Sequence, residues 1–197
     1  MSDTILRAIV WTDYRIAVLF GVFIPLSLLI WAFVEKADAM LRLMIVYWRV
    51  ASLLAFSVYI LIASWPIGFI SGILARFLIP VSLWFWVDVN EDIDDRPASP
   101  LKLTLTAWRW AMTVYCTLGF LWSLTFVRCG FARGAIQENS CQVWLEAPSL
   151  FKEYFHHNSK PEFLGFLGMV GLVIYVLYLG YFVLIRLGKQ GRSAMEQ

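Results

Sequence analysis

The residues of this chain that could do chemistry are concentrated in one acidic run. It reads Asp-Val-Asn-Glu-Asp-Ile-Asp-Asp-Arg-Pro-Ala-Ser-Pro from Asp88 to Pro100, with five acids in its first eight residues. Carboxylates at this density can bind a divalent cation, dock a basic partner or keep a segment in water. Long apolar segments flank the run on both sides. We therefore expect a solvated acidic loop over residues 88–102 that separates two membrane-embedded halves.

Calcium binding is the first chemistry to test on this run. The alternation Asp-x-Asn-x-Asp-x-Asp from Asp88 imitates the opening of an EF-hand loop. That loop requires glycine at its sixth position and glutamate at its twelfth. This chain has Ile93 and Ser99 there, so the sequence disfavours a calcium site.

Asp92, Asp95 and Arg96 resemble the Asp-x-x-Asp-Arg element of UbiA-type intramembrane prenyltransferases. Carboxylates at this spacing share one face of a helix and can hold Mg²⁺ against a diphosphate. Those enzymes are larger bundles with two acidic motifs, whereas this chain has one. The pattern supports only an alternative function, namely a small intramembrane enzyme or carrier that binds an isoprenoid or lipid diphosphate.

A structural role for the acidic run is the favoured interpretation. Pro97 and Pro100 restrict helical geometry at its end. The carboxylates of Asp92, Asp94 and Asp95 would then hold the loop in water or dock a partner. Under this interpretation the chain has no catalytic residue, and its one weak alternative metal site is Asp92 with Asp95.

Composition places the chain in a membrane. Its 197 residues are 60% hydrophobic and 15% charged, with a mean hydropathy of +0.71. A soluble domain carries closer to a quarter charged residues. The net charge of +2 gives no indication of nucleic-acid binding. We predict one all-α integral membrane domain whose partners are membrane lipids and other membrane proteins.

Apolar segments of about 20 residues predict transmembrane helices. The preferred interpretation has five of them, at about residues 16–34, 43–64, 67–87, 106–127 and 163–185. Pro25 should kink the first, and Ser-Trp-Pro-Ile-Gly at 64–68 should turn the chain between the second and third. The alternative has four spans, with one over 50–75 followed by an interfacial helix over 77–87. Residues 128–162 form the long polar connection.

Arg76 lies near the middle of the third predicted span. A cation at the bilayer centre costs about 2.5–3.5 kcal/mol even on lenient scales, so it needs a counter-charge. The cores of the other predicted spans contain no acid. We expect a lipid phosphate, a backbone carbonyl or another protein as its partner, unless a helix ends at Ala75 and Arg76 reaches the surface.

The cysteines and histidines fall mostly in the long connection. Cys129 and Cys141 could form a disulfide on an oxidising side of the membrane, or remain two free thiols. Cys116 lies inside a span and suits a buried apolar position. His156 and His157 are the only histidines, so no span offers a histidine ligand for haem or chlorophyll.

Basic residues of the short connections predict the orientation. Lys36, Arg42, Arg96 and Lys102 would share one side with the basic C-terminal tail. The C-terminus is then expected to be cytoplasmic or stromal, and the 128–162 connection external or lumenal.

Four tryptophans lie where the acidic run meets the membrane. Trp84 and Trp86 precede the run, and Trp108 and Trp110 follow it. We expect these rings to form an aromatic collar against lipid or against a partner helix. With Asp92, Asp94, Asp95, Arg96 and Arg76 they make up the predicted partner-binding residues.

The complete pattern resembles a family of small cyanobacterial thylakoid membrane proteins of unassigned function, with relatives in plastids. The resemblance rests on the Trp-Pro-x-Gly turn, the Asn-Glu-Asp-Ile-Asp-Asp-Arg-Pro run, the two-cysteine connection and the glycine-bearing last span. It implies a non-catalytic accessory role in early assembly of the photosystem II reaction centre. It brings no cofactor, although chlorophyll or carotenoid at a partner interface is compatible with it.

Overall fold

The computed structural model describes residues 3–131 and 134–187, with the side chain of Arg186 excepted. Within these ranges the chain is helical and has no strand, which confirms the predicted all-α membrane class. The helices are α1 (Asp3–Val18), α2 (Ile24–Val34), α3 (Asp38–Ile62), α4 (Ile67–Trp84), α5 (Val87–Asp95), α6 (Pro100–Ser123), α7 (Arg128–Phe131), α8 (Asn139–Phe155) and α9 (Pro161–Tyr181). The basic tail residues Lys189 and Arg192 lie outside the described residues.

Four helical segments of the described chain are long and apolar enough to cross a membrane. They are Asp3–Val34, Asp38–Ile62, Ile67–Trp84 and Pro161–Ile185. The fourth predicted span corresponds to α6, whose 24 residues are long enough but include Lys102 and Arg109. The bundle therefore has four strongly apolar helices and one more polar helix of membrane-spanning length.

The first helix is longer than the sequence predicted, because α1 and α2 form one continuous segment of 32 residues. A five-residue π-helical turn, Leu19–Phe23, joins them just before Pro25. Proline has no N–H to bond the carbonyl four residues earlier, which here belongs to Gly21. The Tyr47 hydroxyl donates to that Gly21 carbonyl at 2.7 Å, and Trp108 Nε1 donates to the Phe20 carbonyl at 2.9 Å. Neighbouring helices thus satisfy the carbonyls that the irregular turn leaves open.

The helical hairpin predicted at residues 64–68 is present. Helix α3 ends at Ile62, Ser64 adopts a left-handed conformation with φ of 56°, and α4 begins at Ile67. The alternative placement of one span over 50–75 with an interfacial helix over 77–87 is wrong, since α3 ends at Ile62 and α4 continues through Arg76 to Trp84 without a break.

Helix α9 packs on α3 through its glycines. A Cβ atom at Gly168 would lie 2.9 Å from the side chain of Ile60 and 3.0 Å from its backbone nitrogen. A Cβ atom at Gly165 would lie closer still to Ala63, just after α3, and one at Gly171 closer still to Phe56 within α3. These glycines let the two helix backbones approach closely, as small residues do in membrane bundles.

The acidic run is a helix rather than the expected loop. Helix α5 spans Val87–Asp95, and its Val89 and Ile93 are 1% and 0% exposed. Two apolar residues four positions apart lie on one side of a helix, so their burial turns the carboxylates to the other side. Composition alone suggested a solvated loop, because the run has five acids and only these two apolar residues within the helix core.

The connection at 128–162 is folded as well. Beyond α7 and α8 it contains a 3₁₀ turn, Ala135–Gln137, and it packs on the N-terminal half of α1. The buried residues of this second core are Leu6, Val10, Leu61, Phe69, Cys129, Ala135, Cys141, Val143, Trp144 and Leu145. At its edge Arg7 pairs with Glu146 at 2.8 Å, and Tyr14 donates to the Trp144 carbonyl at 3.0 Å.

We predict that Gly168→Leu destabilises the bundle, because the larger side chain must push α9 away from Ile60. Overpacking costs about 1–3 kcal/mol. The measurement is the thermal midpoint in mild detergent. Gly180→Leu is the matched control, since no atom lies within 4 Å of a Cβ at that position. Equal midpoints for the two variants would contradict the close α3–α9 contact.

Candidate functional site

A buried ion pair joins the first helix to the middle of the bundle. The Arg76 guanidinium of α4 donates through Nη2 to Asp13 Oδ2 of α1, and the two side chains are 11% and 10% exposed. The Tyr115 hydroxyl of α6 donates to Asp13 Oδ1 at 2.9 Å and approaches the Asp13 carbonyl at 3.1 Å. Three helices therefore meet at one carboxylate.

The second guanidinium nitrogen of Arg76 leaves room only for a glycine at position 119. Nη1 is buried and has no hydrogen-bond partner among the described residues. It lies against Gly119 of α6, where any Cβ atom would overlap it. The aromatic rings of Tyr115 and Trp144 lie 6.0 Å and 5.8 Å from the guanidinium carbon. A glycine and two rings thus accommodate the part of the cation that the carboxylate does not bind.

The acid that pairs with Arg76 was missed in the sequence. We expected no carboxylate near this arginine, because the first predicted span began at Ile16 and excluded Asp13. The alternative that Arg76 reaches the surface is also wrong, given its position inside α4. The apolar spacing of Leu6, Val10 and Tyr14 was the available signal that the helix begins earlier.

A second buried arginine fixes α5 to the bundle. Arg109 of α6 is 3% exposed and donates to the Leu83 carbonyl at 2.9 Å and to Asn90 Oδ1 at 2.6 Å. Its guanidinium lies 4.1 Å from the ring centroid of Trp84. Asn90 in turn donates to the Trp84 carbonyl at 3.2 Å. The acidic helix is therefore held at a fixed position relative to α4 and α6.

The outward side of α5 carries the predicted carboxylates. Asp92, Asp94 and Asp95 are exposed, and none of them forms a salt bridge with a cation in the described ranges. Lys102 Nζ instead donates to the carbonyls of Asp94 and Arg96, both at 2.7 Å. The lysine closes the C-terminal end of α5 and leaves the acidic face open.

The four tryptophans do not form a common collar. Trp108 is 3% exposed and packs edge-on against Tyr47 at 4.9 Å. Trp86 contacts Phe182, 5.6 Å away at the end of α9. Trp84 and Trp110 lie 4.8 Å apart, and Trp110 is 57% exposed. Sequence position placed all four at one level, but helix rotation turns Trp108 and Trp86 away from Trp84 and Trp110, and of these two only Trp110 is exposed.

The cysteine and histidine side chains make contacts within the fold. Cys129 and Cys141 are joined in a disulfide, and both are buried in the second core. Cys116 is free and buried among apolar residues of α2, α3, α4 and α6. His156 Nε2 lies 2.8 Å from the Tyr59 hydroxyl. Across residues 3–131 and 134–187, no three His, Cys, Asp or Glu side chains are grouped to hold a metal ion.

An open apolar groove separates α1 from α6 next to the ion pair. Two adjoining cavities form it, with volumes of about 520 Å³ and 490 Å³, and they share Ile16 and Tyr115. The first is lined by Ile5, Ala8, Ile9, Thr12, Asp13, Ile16, Tyr115, Leu118, Gly119 and Trp122. The second is lined by Ile16, Phe20, Trp110, Ala111, Val114 and Tyr115. Nothing in the spacing of these residues indicated a groove.

We predict that Arg76→Gln strongly destabilises the protein. Breaking a buried pair leaves Asp13 as an uncompensated charge, which costs about 3–5 kcal/mol. Thermal unfolding in detergent measures the loss. The control is Arg7→Gln, which breaks the exposed pair with Glu146 and should cost less than about 1 kcal/mol. In the double variant Asp13→Asn with Arg76→Gln, stability should partly return, and strictly additive losses would contradict coupling of the two residues.

A family model matches most of the chain. Its description is "Protein of unknown function (DUF3177)", and it covers residues 7–195. No curated protein and no solved structure matches. Asp13, Arg76, Arg109 and helix α5 all fall within the matched region. The chain belongs to the DUF3177 family.

Proposed function

We propose that this protein is a non-catalytic accessory factor that binds another integral membrane protein. The observation that carries the proposal is the position of α5, a rigidly held helix whose carboxylates face outward and which is linked through Trp84 to the exposed Trp110. Contacts from Trp110 to Trp84 and from Trp84 to Asn90 connect the two parts of this surface. We call it the Trp110–α5 surface, comprising Trp84, Trp110, Asp92, Asp94 and Asp95.

The composition of the Trp110–α5 surface suits protein recognition. Exposed aromatic side chains contribute much of the binding energy at interfaces. A surface that is already ordered loses little conformational entropy when it binds. Arg109 and Lys102 supply that order, because they hold the two ends of α5 without neutralising its outward face.

Charge complementarity supports a membrane protein as the partner. In the orientation that the basic connections favour, α5 lies on the cytoplasmic or stromal side. Short loops of integral membrane proteins on that side are enriched in lysine and arginine. An acidic helix at that membrane boundary would meet such loops, while Trp110 would contact the adjoining helix.

The resemblance to thylakoid proteins specifies the proposed partner. It supports early intermediates of the photosystem II reaction centre, in a cyanobacterial or plastid thylakoid. Chlorophyll or carotenoid could then be bound at the interface with that partner. In this proposal Arg76 maintains the bundle through Asp13 rather than contacting the partner directly.

The triple substitution Asp92→Asn, Asp94→Asn and Asp95→Asn should weaken partner binding by removing the charge of the outward face. We expect at least a fivefold lower yield of co-purified membrane proteins, measured by mass spectrometry after mild-detergent isolation. The control, Glu153→Gln with Glu162→Gln, removes exposed acids on the opposite connection. Undiminished co-purification by the triple variant would contradict docking at α5.

The diphosphate-binding alternative gives a different result in isolation. Asp92 and Asp95 lie three residues apart on α5, so their spacing is compatible with one Mg²⁺ ion. Saturable binding of a Mg²⁺–isoprenoid diphosphate by the purified protein, abolished by the triple substitution, would favour that alternative over an accessory role.

We further predict that protease added from the external or lumenal side cleaves within residues 132–160, whereas α5 stays protected. The expected orientation follows from the short basic connections. Cleavage sites are read by mass spectrometry on sealed vesicles, with detergent-opened vesicles as the control. Cleavage beside α5 from that same side would reverse the proposed orientation.

A further inference from the structure

Arg49 is an exposed cation in the middle of a membrane-spanning helix. It lies in α3, about 16 Å from the start of the helix at Asp38 and about 20 Å from its end at Ile62. Its side chain is exposed, whereas Arg76 and Arg109 are largely enclosed by the bundle. A cation in hydrocarbon is costly unless polar groups compensate it. Arg49 therefore needs a compensating group at this depth.

The bundle supplies one weak contact to the Arg49 guanidinium. Nη1 donates to the Tyr178 hydroxyl of α9 at 3.5 Å, and no carboxylate within residues 3–131 and 134–187 pairs with it. The usual donor–acceptor distance for such a bond is about 2.7–3.2 Å. By contrast, a carboxylate binds Arg76, and two oxygen acceptors bind Arg109. Arg49 thus retains a positive charge that no described residue neutralises.

The contact with Tyr178 keeps the Arg49 guanidinium below the headgroup layer. Helices α3 and α9 are antiparallel, and Tyr178 lies about 10 Å before the end of the last membrane-spanning segment at Ile185. Its Cα–Cβ bond tilts toward the start of α9 and hence deeper into the membrane. Arg42 is exposed on the same face of α3, about 10 Å nearer the start of the helix. A lipid phosphate would therefore meet Arg42 first, and Arg49 needs an anion that is carried into the hydrocarbon.

A carboxylate of another membrane protein fits this position. Acidic side chains within transmembrane helices pair with basic ones. A second copy of this chain offers none, since Asp13 is the one acid in the interior of the described membrane-spanning segments and is paired with Arg76. Beside Arg49, the exposed Ile45 and the half-buried Ser52 present an apolar and a small side chain. A partner helix can pack closely on such residues.

Arg49 is connected through α9 to the Trp110–α5 surface. Phe182 follows Tyr178 by one turn of helix and contacts Trp86 at 5.6 Å. Trp86 directly precedes α5. One partner can therefore contact the acidic face of α5 with an extramembrane loop and Arg49 with a transmembrane helix.

We propose that Arg49 binds a carboxylate within a transmembrane helix of the partner protein. This inference rests on the proposed accessory function and specifies the partner. That protein carries an aspartate or glutamate about 10 Å inside the membrane, on the side of α5. Arg76 and Arg109 complete their bonds within the chain, whereas Arg49 completes its bonds in the complex.

The test places a photoreactive amino acid at Ile45 of the full chain in native membranes. We expect a cross-link to a polypeptide other than this chain, which mass spectrometry maps to an apolar segment containing Asp or Glu. Arg49→Gln should lower the yield of this cross-link at least fivefold. Cross-links to lipid alone, to a second copy of the chain or to a segment without an acid would overturn the proposal.

Two control variants separate the charge of Arg49 from the packing of α3 on α9. Arg42→Gln removes an exposed cation from the same face, and Tyr178→Phe removes the contact within the chain but leaves Arg49 in place. Each should change the cross-link less than twofold. The thermal midpoint of purified Arg49→Gln should equal that of the unaltered protein. A lowered midpoint together with a lost cross-link would give Arg49 a structural role and overturn the proposal.

A charge exchange tests the pairing itself. Arg49→Glu should abolish the cross-link, and replacing the mapped acid of the partner by arginine should do the same. The two changes together should restore the cross-link, because the opposite charges again face each other. Failure of the exchange to restore it would refute direct pairing.

The triple substitution on α5 separates this inference from the function on which it rests. Lost co-purification in the triple variant with an unchanged yield in Arg49→Gln would leave the accessory role standing and refute the Arg49 contact. Unchanged yields in both variants would refute both proposals.

Discussion

Charge neutralisation inside an apolar bundle is the constraint on which this structure depends. A cation without polar partners among these helices would be too costly to keep, and Arg76 is tolerated because Asp13 lies beside it. The Asp13 carboxylate also accepts a hydrogen bond from the Tyr115 hydroxyl, so polar contacts fix α1, α4 and α6 to one another. Apolar packing alone is less directional than this set of bonds.

The same constraint explains the organisation of the extramembrane connection. Asp13 lies just before the apolar part of the first helix, and that helix extends further back to Asp3. That extension carries Leu6 and Val10, which need cover, and α8 provides it with Trp144 and its neighbours. The disulfide between Cys129 and Cys141 links α7 to α8 within the same buried cluster. The folded connection and the buried ion pair are thus parts of one arrangement.

A second arginine organises the other end of the bundle. Arg109 binds the Leu83 carbonyl and Asn90, and Trp84 covers its guanidinium. The acidic segment becomes a fixed helix because of these contacts, although its own composition favours water. The groove between α1 and α6 lies next to the first cluster, which bonds the Asp13 and Tyr115 side chains of its lining. The proposed Trp110–α5 surface therefore depends on Arg109, which is buried behind it.

The sequence by itself determined that the chain lies in lipid and is helical. Long uncharged segments of this kind form all their backbone hydrogen bonds in lipid by becoming helices. The sequence also determined the turn near Ser64, which follows from local backbone requirements. Only the tertiary structure decided which acid meets Arg76, how α5 is held, which tryptophan stays exposed and where a groove remains. These features depend on the rotation and separation of helices distant in the chain, and residue spacing within one helix contains no information about either.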